Sequence, residues 1–238
     1  MPRLSIVVPA YNEAERLGPT LERVLAYLAD LPAGGEVLVV DDGSTDGTAA
    51  VAARFAERGV RLVRLAANRG KGAALKAGVL ASRGDEVLLC DADLSTPIED
   101  YARLSGALAR SPIVVGSRAV AGSRITRHQP WYRELMGKTF NLLVRALVVS
   151  GLRDTQCGFK LLRGDVARAL FAELSVDRFA YDVELIWLAR RRGLEVVEVG
   201  VTWHDSPASR VHPLRDSWSM LRDLVRMRWR HRGAAGRR

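Results

Sequence analysis

Two aspartates, Asp91 and Asp93, stand between the apolar run Val87-Leu88-Leu89-Cys90 and the turn-forming stretch Leu94-Ser95-Thr96-Pro97. Four apolar residues bounded by turn formers read as a buried strand. Side chains alternate along a strand, so the two carboxylates project the same way from its end. Like charges that close repel unless a cation or a hydrogen-bond donor shares the site. Oxygen ligands of this kind suit Mg²⁺ or Mn²⁺, and Mg²⁺ commonly holds substrate phosphates as well. Taken alone, the same pattern also describes a solvated turn.

The elements upstream must decide whether anything joins these acids. Leu4 to Pro9 reads as a first strand, followed by Tyr11-Asn12-Glu13 and a helix over 15–29 with Leu17, Leu21, Val24, Leu25 and Leu28 on one face. Glu36 to Val40 is a second strand ending in Asp41-Asp42-Gly43-Ser44, with Ser44 or Thr45 placed to cap a helix over 46–58. A third strand over 60–65 leads through Asn68-Arg69-Gly70-Lys71-Gly72 into a helix over 73–81. Apolar runs alternating with helices of this length indicate a parallel sheet covered on both faces. Ligands of such sheets gather outside the carboxyl ends of the strands, so the three strand-end loops converge on one rim. Neither G-x-G-x-x-G nor G-x-x-x-x-G-K-[ST] occurs, which removes the dinucleotide and P-loop fingerprints. Gly70-Lys71-Gly72 reads as close backbone packing with one lysine turned toward the rim.

Val8-Pro9-Ala10-Tyr11-Asn12-Glu13, Val40-Asp41-Asp42-Gly43-Ser44-Thr45-Asp46, Asn68-Arg69-Gly70-Lys71-Gly72 and Asp91-Ala92-Asp93 occur in that order over the first half of the chain. Together they resemble the motif series of family 2 glycosyltransferases. The resemblance implies a GT-A fold, an α/β architecture with a Rossmann-like, mostly parallel central sheet flanked by helices. It also implies a nucleotide-diphosphate sugar as donor. By the same resemblance Pro9, Tyr11, Glu13 and Asp42 would contact uracil and ribose, with Lys71 near the base. Asp91 would face the ribose and sugar, and Asp93 would bind the metal. Without the resemblance, Glu13 is equally a helix N-terminal acid and Asp42 a turn residue.

The second half carries the charge. Residues 116–170 hold 10 basic and 3 acidic residues, and 211–238 hold 8 and 2, whereas 1–115 hold 13 and 15. Such uneven placement points to a polyanion met by one side of the molecule. Ile113 to Arg118 is a further strand, bringing Arg118 to the phosphates, and the loop after it supplies Arg124, Arg127, His128 and Arg133. Guanidinium groups suit phosphate because they bind it bidentately; a solvated loop is the plainer alternative. Residues 131–149 fit an amphipathic helix opening on Trp131 and Tyr132, aromatics common at membrane surfaces.

Asp154 to Leu162, Arg178 to Leu185 and Trp203 are similar to the dolichyl-phosphate β-glucosyltransferase branch of the family. That likeness implies UDP-glucose as donor and a polyprenyl phosphate as acceptor. The stretch after Trp203 matches the branch only loosely. Asp182 and Glu184 are candidates to face the acceptor, or else helix N-terminal acids. His204 is a candidate metal neighbour or a hydrogen-bonded rim histidine, and Ser209-Arg210 a lid over the diphosphate. Over 214–232, Trp218, Leu221, Leu224, Val225 and Trp229 form an apolar stripe beside Arg222, Arg226 and Arg230. A helix of that kind suits the headgroup layer of an anionic bilayer, and docking on the core is the alternative.

The resulting expectation is a GT-A domain over 1–213, divided into a nucleotide-sugar half (1–115) and an acceptor half (116–213). A basic amphipathic helix and tail (214–238) would follow. Cys90 and Cys157 fit neither a disulfide framework nor a zinc site. No signal peptide opens the chain and no apolar stretch is long enough to span a bilayer. A cytoplasmic protein, peripheral to the inner face of the membrane, is the expected setting. The expected chemistry is metal-dependent and inverting. A soluble acceptor or another sugar such as mannose stands as the alternative. No recognised nucleic-acid-binding motif is present.

Overall fold

The computed structural model describes residues 3–127 and 151–204, together with 220, 222, 223, 226, 227, 229 and 230 near the C-terminus. A seven-stranded sheet is built from β1 (Leu4–Ala10), β2 (Gly35–Asp41), β3 (Val60–Arg64), β4 (Glu86–Leu89), β5 (Ile113–Ser117), β7 (Lys160–Arg163) and β8 (Val196–Gly200). Its order is β3-β2-β1-β4-β7-β5-β8, and β7 alone runs antiparallel to its neighbours β4 and β5. Helices α1 (Ala14–Ala29), α2 (Thr48–Ala53), α3 (Lys71–Ala81), α4 (Tyr101–Leu108), α5 (Gly164–Glu173) and α6 (Tyr181–Arg191) cover it.

The apolar runs explain the layering. Ile6, Val8, Val37, Val39, Leu88 and Leu161 turn to one face and pack with Leu17, Leu21 and Val24 of α1 and Leu104 of α4. Val7, Leu38, Val40, Val87, Leu89 and Leu162 turn to the other, against Leu75 and Val79 of α3 and Leu170 and Leu185 of α5 and α6. Alternate residues thus feed two cores, so the strands read as unbroken hydrophobic runs.

The chain winds from β1 out through β2 to β3, then crosses back to set β4 on the far side of β1. That reversal lies between β1 and β4, and the crevice outside such a switch point is where ligands bind.

Some expected boundaries shift. The helix over 46–58 is shorter: α2 stops at Ala53 and a 3-10 turn covers Ala56–Arg58. The loop expected after Arg118 contains a strand, β6 (Arg124–Arg127), paired in parallel with β9 (Thr202–His204). His128, Arg133, Ser209, Arg210 and the helix over 131–149 lie outside the described residues, as does most of 214–232. No described helix is long and apolar enough to cross a membrane.

Candidate active site

The loops after β1 and β2 are stitched together at the rim. Ser44 Oγ accepts the Asn12 N–H at 2.9 Å, and Asn12 Oδ1 accepts the Thr45 N–H at 2.8 Å. Thr48 Oγ1 accepts the Glu13 N–H at 2.7 Å. Asn12 adopts the left-handed region at φ 54°, which asparagine tolerates. Pro9 lies within β1 opposite Val40, and the Tyr11 ring stands 36% exposed at the mouth.

Asp42 is buried, and its two oxygens each accept one backbone N–H at 2.8 Å, from Arg69 and Gly70. Burial pushes its carboxyl above the usual range, and those two N–H groups only partly offset the effect. Its first role is therefore to tie the Asn68–Gly72 loop to β2. That loop also lies tight against the start of α6: a Cβ on Gly70 would sit 2.6 Å from Asp177 O, and one on Gly72 2.5 Å from Val176 O. Gly70 has φ 113°, open to glycine and strained for other residues.

This packing aims Lys71 at the acids, with Nζ 2.5 Å from Asp91 Oδ1. Burial alone would push the Asp91 carboxyl up, but Lys71, then Lys160 and Arg118, hold it below the usual carboxylate range. Burial would likewise lower Lys71, and Asp91, Asp182 and Asp93 together raise it instead. The pair is thus held fully charged.

Asp93 is oriented differently. Its Oδ1 accepts the Ser95 N–H at 3.0 Å, and its Oδ2 lies 3.8 Å from an Arg16 nitrogen. Arg16 is itself gripped bidentately by Glu13, both contacts at 2.7 Å. Leu94, between these turn residues, is forced to φ 46°, a strained conformation of the sort that gathers at functional sites. Asp93 fits a divalent ion shared with phosphate: it is partly exposed, and among the described residues Oδ2 meets only a long contact. Among the described residues no group of three His, Cys, Asp or Glu side chains forms a metal cage. A Mg²⁺-type ion needs none, since one or two carboxylates and substrate phosphates commonly complete its shell.

Arg118, at the end of β5, donates from Nε and Nη2 to Asp154 at 2.7 and 3.0 Å and lies 5.4 Å from the Trp203 ring centroid. Burial would lower its basicity, but Asp154 more than compensates. It stands as a fixed cation rather than a mobile finger. Arg124 is exposed on β6 and Arg127 ends that strand. The His204 ring pairs through Nδ1 with Thr126 Oγ1, and the His204 backbone N–H donates to Ser95 O at 2.8 Å. It is the hydrogen-bonded rim histidine, set beside the Asp93 turn.

Asp182 and Glu184, of which one was a candidate to face the acceptor, are both buried. Glu184 has no exposed surface: Oε2 accepts the Ser175 and Val176 N–H groups at 2.9 and 2.8 Å, and Oε1 the Ser175 hydroxyl at 2.7 Å. That corrects the expectation that it faces a substrate; α6 buries nearly its whole first turn and a half, so this acid anchors a loop. Asp182 is also buried and pairs with Lys160, a lysine with zero exposure on β7. Burial pushes the Asp182 carboxyl up, against the pull of Lys160 and Lys71. Sequence reasoning missed Lys160, Arg16 and Asp154. A lone lysine inside Phe159-Lys160-Leu161-Leu162 and an arginine three residues after Glu13 were the available signals.

Residues 5–171 match the family model "Glycosyl transferase family 2". The chain is 37% identical over 243 residues to "Dolichyl-phosphate beta-glucosyltransferase" of Dictyostelium discoideum, covering 96% of this chain and 74% of that one. It is 40% identical over 237 residues to the protein of the same name from Drosophila melanogaster, covering 93% and 73%. In fold it resembles glucosyl-3-phosphoglycerate synthase of Mycobacterium tuberculosis, solved with Mn²⁺, uridine diphosphate and phosphoglyceric acid. The TM-score is 0.64 at 21% identity, over 95% of this chain and 77% of that one.

Proposed function

The chain belongs to glycosyl transferase family 2, and from that premise we propose that it moves glucose from UDP-glucose to a polyprenyl phosphate of the dolichyl type. The observation that carries this reading is the meeting of Tyr11, the Lys71–Asp91 pair and Asp93 at the β1/β4 switch point. The names of the curated relatives support both the sugar and the lipid.

In this reading Pro9, Tyr11, Glu13 and Asp42 border uracil and ribose, and the exposed Tyr11 ring offers a stacking face. Asp91 meets the ribose and sugar with its charge fixed by Lys71. Asp93 holds Mg²⁺ or Mn²⁺, an ion that offsets negative charge on the departing diphosphate when bound. Arg16 gives way from Asp93 while remaining gripped by Glu13. The acceptor phosphate is already ionised near neutral pH, so its oxygen attacks the anomeric carbon without a strong base, and the configuration inverts. That chemistry suits a site whose buried acids, Asp182 and Glu184, are otherwise engaged. What it needs is charge and orientation, supplied by the fixed Arg118 and by Arg124, Arg127, Arg133 and the Ser209–Arg210 segment.

A lipid acceptor requires approach to a membrane, and we assign that surface to 131–149 and 214–232, on the cytoplasmic face. Met220 and Met227 are buried against Leu152, Val183 and Ile186, whereas Trp229 is 73% exposed, Arg222 and Arg226 are exposed, and Arg230 reaches back to Ser175 O at 3.5 Å. Tryptophan and arginine on the free face suit an anionic headgroup layer.

The test is a panel of radiolabelled UDP-glucose and GDP-mannose offered with polyprenyl phosphate or phosphoglycerate, with Mg²⁺ or Mn²⁺. Label from UDP-glucose passing into the organic phase is the expected result. Label appearing only on phosphoglycerate, or only from GDP-mannose, would replace the acceptor or the sugar.

A further inference from the structure

Beneath the rim lies a buried ion pair to which the proposed transfer gives no role. Lys160 Nζ, on β7, is held by Cys157 O and Asp182 Oδ1 with no exposure to solvent. Its two partners belong to the two pieces of chain that flank the Lys71–Asp91 contact. Cys157 opens the turn into β7, and the next residue, Gly158, presses directly on Asp91: a Cβ there would stand 2.2 Å from Asp91 Oδ2. Asp182 opens α6, and the residues around it wall the lysine loop. A Cβ on Gly72 would meet Tyr181 Cβ at 2.8 Å, and Asp177 O accepts the Ala73 N–H at 2.9 Å. Glu184, two residues further, holds Ser175 and Val176 in that wall.

We propose that Lys160 and Asp182 are a positioning pair for the transfer, locking the turn that floors Asp91 to the helix that backs Lys71. The pair acts through distance. By fixing the Cys157 carbonyl it sets how close Gly158 comes to the Asp91 carboxylate, and by fixing α6 it sets where Lys71 begins. Buried ion pairs are poor stabilisers, since well-packed apolar groups of similar size often serve the fold as well. A pair of this kind at the base of a charged site therefore fits a geometric role better than a stabilising one.

The proposal rests on the transfer reading above, so the test separates the two. Lys160→Met and Asp182→Asn are made singly and together, and kcat, UDP affinity by calorimetry and thermal unfolding are measured. Each single change strands one buried charge or donor and lowers the unfolding temperature. The double variant recovers to within about 5 °C of the parent, yet kcat stays at least about tenfold down because the 157–159 turn has lost its tether. UDP affinity falls by a smaller factor than kcat, since the loops after β1 and β2 are untouched while Lys71 and Asp91 border only part of the nucleotide. Gly158→Ala loads the same turn without disturbing the ion pair, and a similar loss of kcat is expected. A folded double variant or a Gly158→Ala protein with kcat within about twofold of the parent overturns the proposal. Crystals of either variant give the second readout: the Lys71–Asp91 contact should open beyond its 2.5 Å, and an unchanged contact overturns it. If the parent itself transfers no glucose, the functional reading falls while the crystals still decide the positioning role.

Discussion

Glu184 offers a sharp separation between an acid that does chemistry and one that holds a wall. Among the described residues its carboxylate accepts hydrogen bonds from Ser175 N, Val176 N and Ser175 Oγ, and the side chain is fully buried. In Glu184→Gln the amide oxygen still accepts the two backbone N–H groups, and the Ser175 hydroxyl turns to accept from the amide nitrogen. What is lost is the charge assistance, roughly 1 kcal/mol for each of two bonds, or about 2 kcal/mol. Glu184→Ala leaves both N–H groups and the hydroxyl without a partner, at about 1–3 kcal/mol each, so at least about 3 kcal/mol. At about 2–4 °C per kcal/mol for a domain of this size, the glutamine variant should melt roughly 4–8 °C below the parent and the alanine variant at least about one and a half times as far. Denaturant titration and thermal melts give the stabilities. Transfer kinetics are measured well below either midpoint, where the glutamine variant should keep kcat within a few-fold of the parent. A glutamine variant that melts with the parent but transfers about a hundredfold more slowly would refute the reasoning and return Glu184 to the reaction.

Asp93→Ala should remove transfer by at least about a hundredfold with the melting temperature nearly unchanged, because its carboxylate makes one backbone hydrogen bond and one long ion pair; retained transfer with added Mn²⁺ would exclude the metal assignment. Asp154 is held below the usual carboxylate range: burial pushes it up and Arg118 more than reverses this. Its contribution is therefore fully present at neutral pH and is lost as the pH falls below the unfolded value of about 4. Urea titrations should accordingly find the Asp154→Asn defect largest near neutral pH and shrinking in acid. Arg226→Glu with Trp229→Ala should weaken co-sedimentation with anionic vesicles without changing transfer to a short, soluble polyprenyl phosphate analogue; unchanged sedimentation would place the membrane contact elsewhere.

The sheet was legible because both of its faces are covered. β1, β2, β4 and β5 are largely apolar runs, and acids follow closely after β1, β2 and β4. The convergence of Tyr11, Asp42 and Asp91 followed from the carboxyl-end rule alone. The insertion of β7 between β4 and β5 was hidden by Lys160, a charge that breaks the strand pattern and finds its partner in Asp182, 22 residues away. The pairing of β6 with β9 was invisible for a related reason, since strands of four and three residues take their register from distant neighbours. The roles of Asp182 and Glu184 depended on how α6 sits. Residues 181–186 are all buried, so no polar stripe marked which side of that helix faced the rim. Arg16, bridging Glu13 and Asp93, could be read only once the β1 and β4 loops stood side by side.

The central claim is that the loops following β1, β2 and β4 form a single site for a sugar nucleotide with a divalent ion at Asp93. Crystals soaked with UDP and Mn²⁺, measured at the manganese edge, test it directly. An anomalous peak against the Asp93 carboxylate, with uracil beside Tyr11, is the predicted outcome. Ordered UDP or manganese bound elsewhere, with the crevice between β1 and β4 left empty, would contradict it.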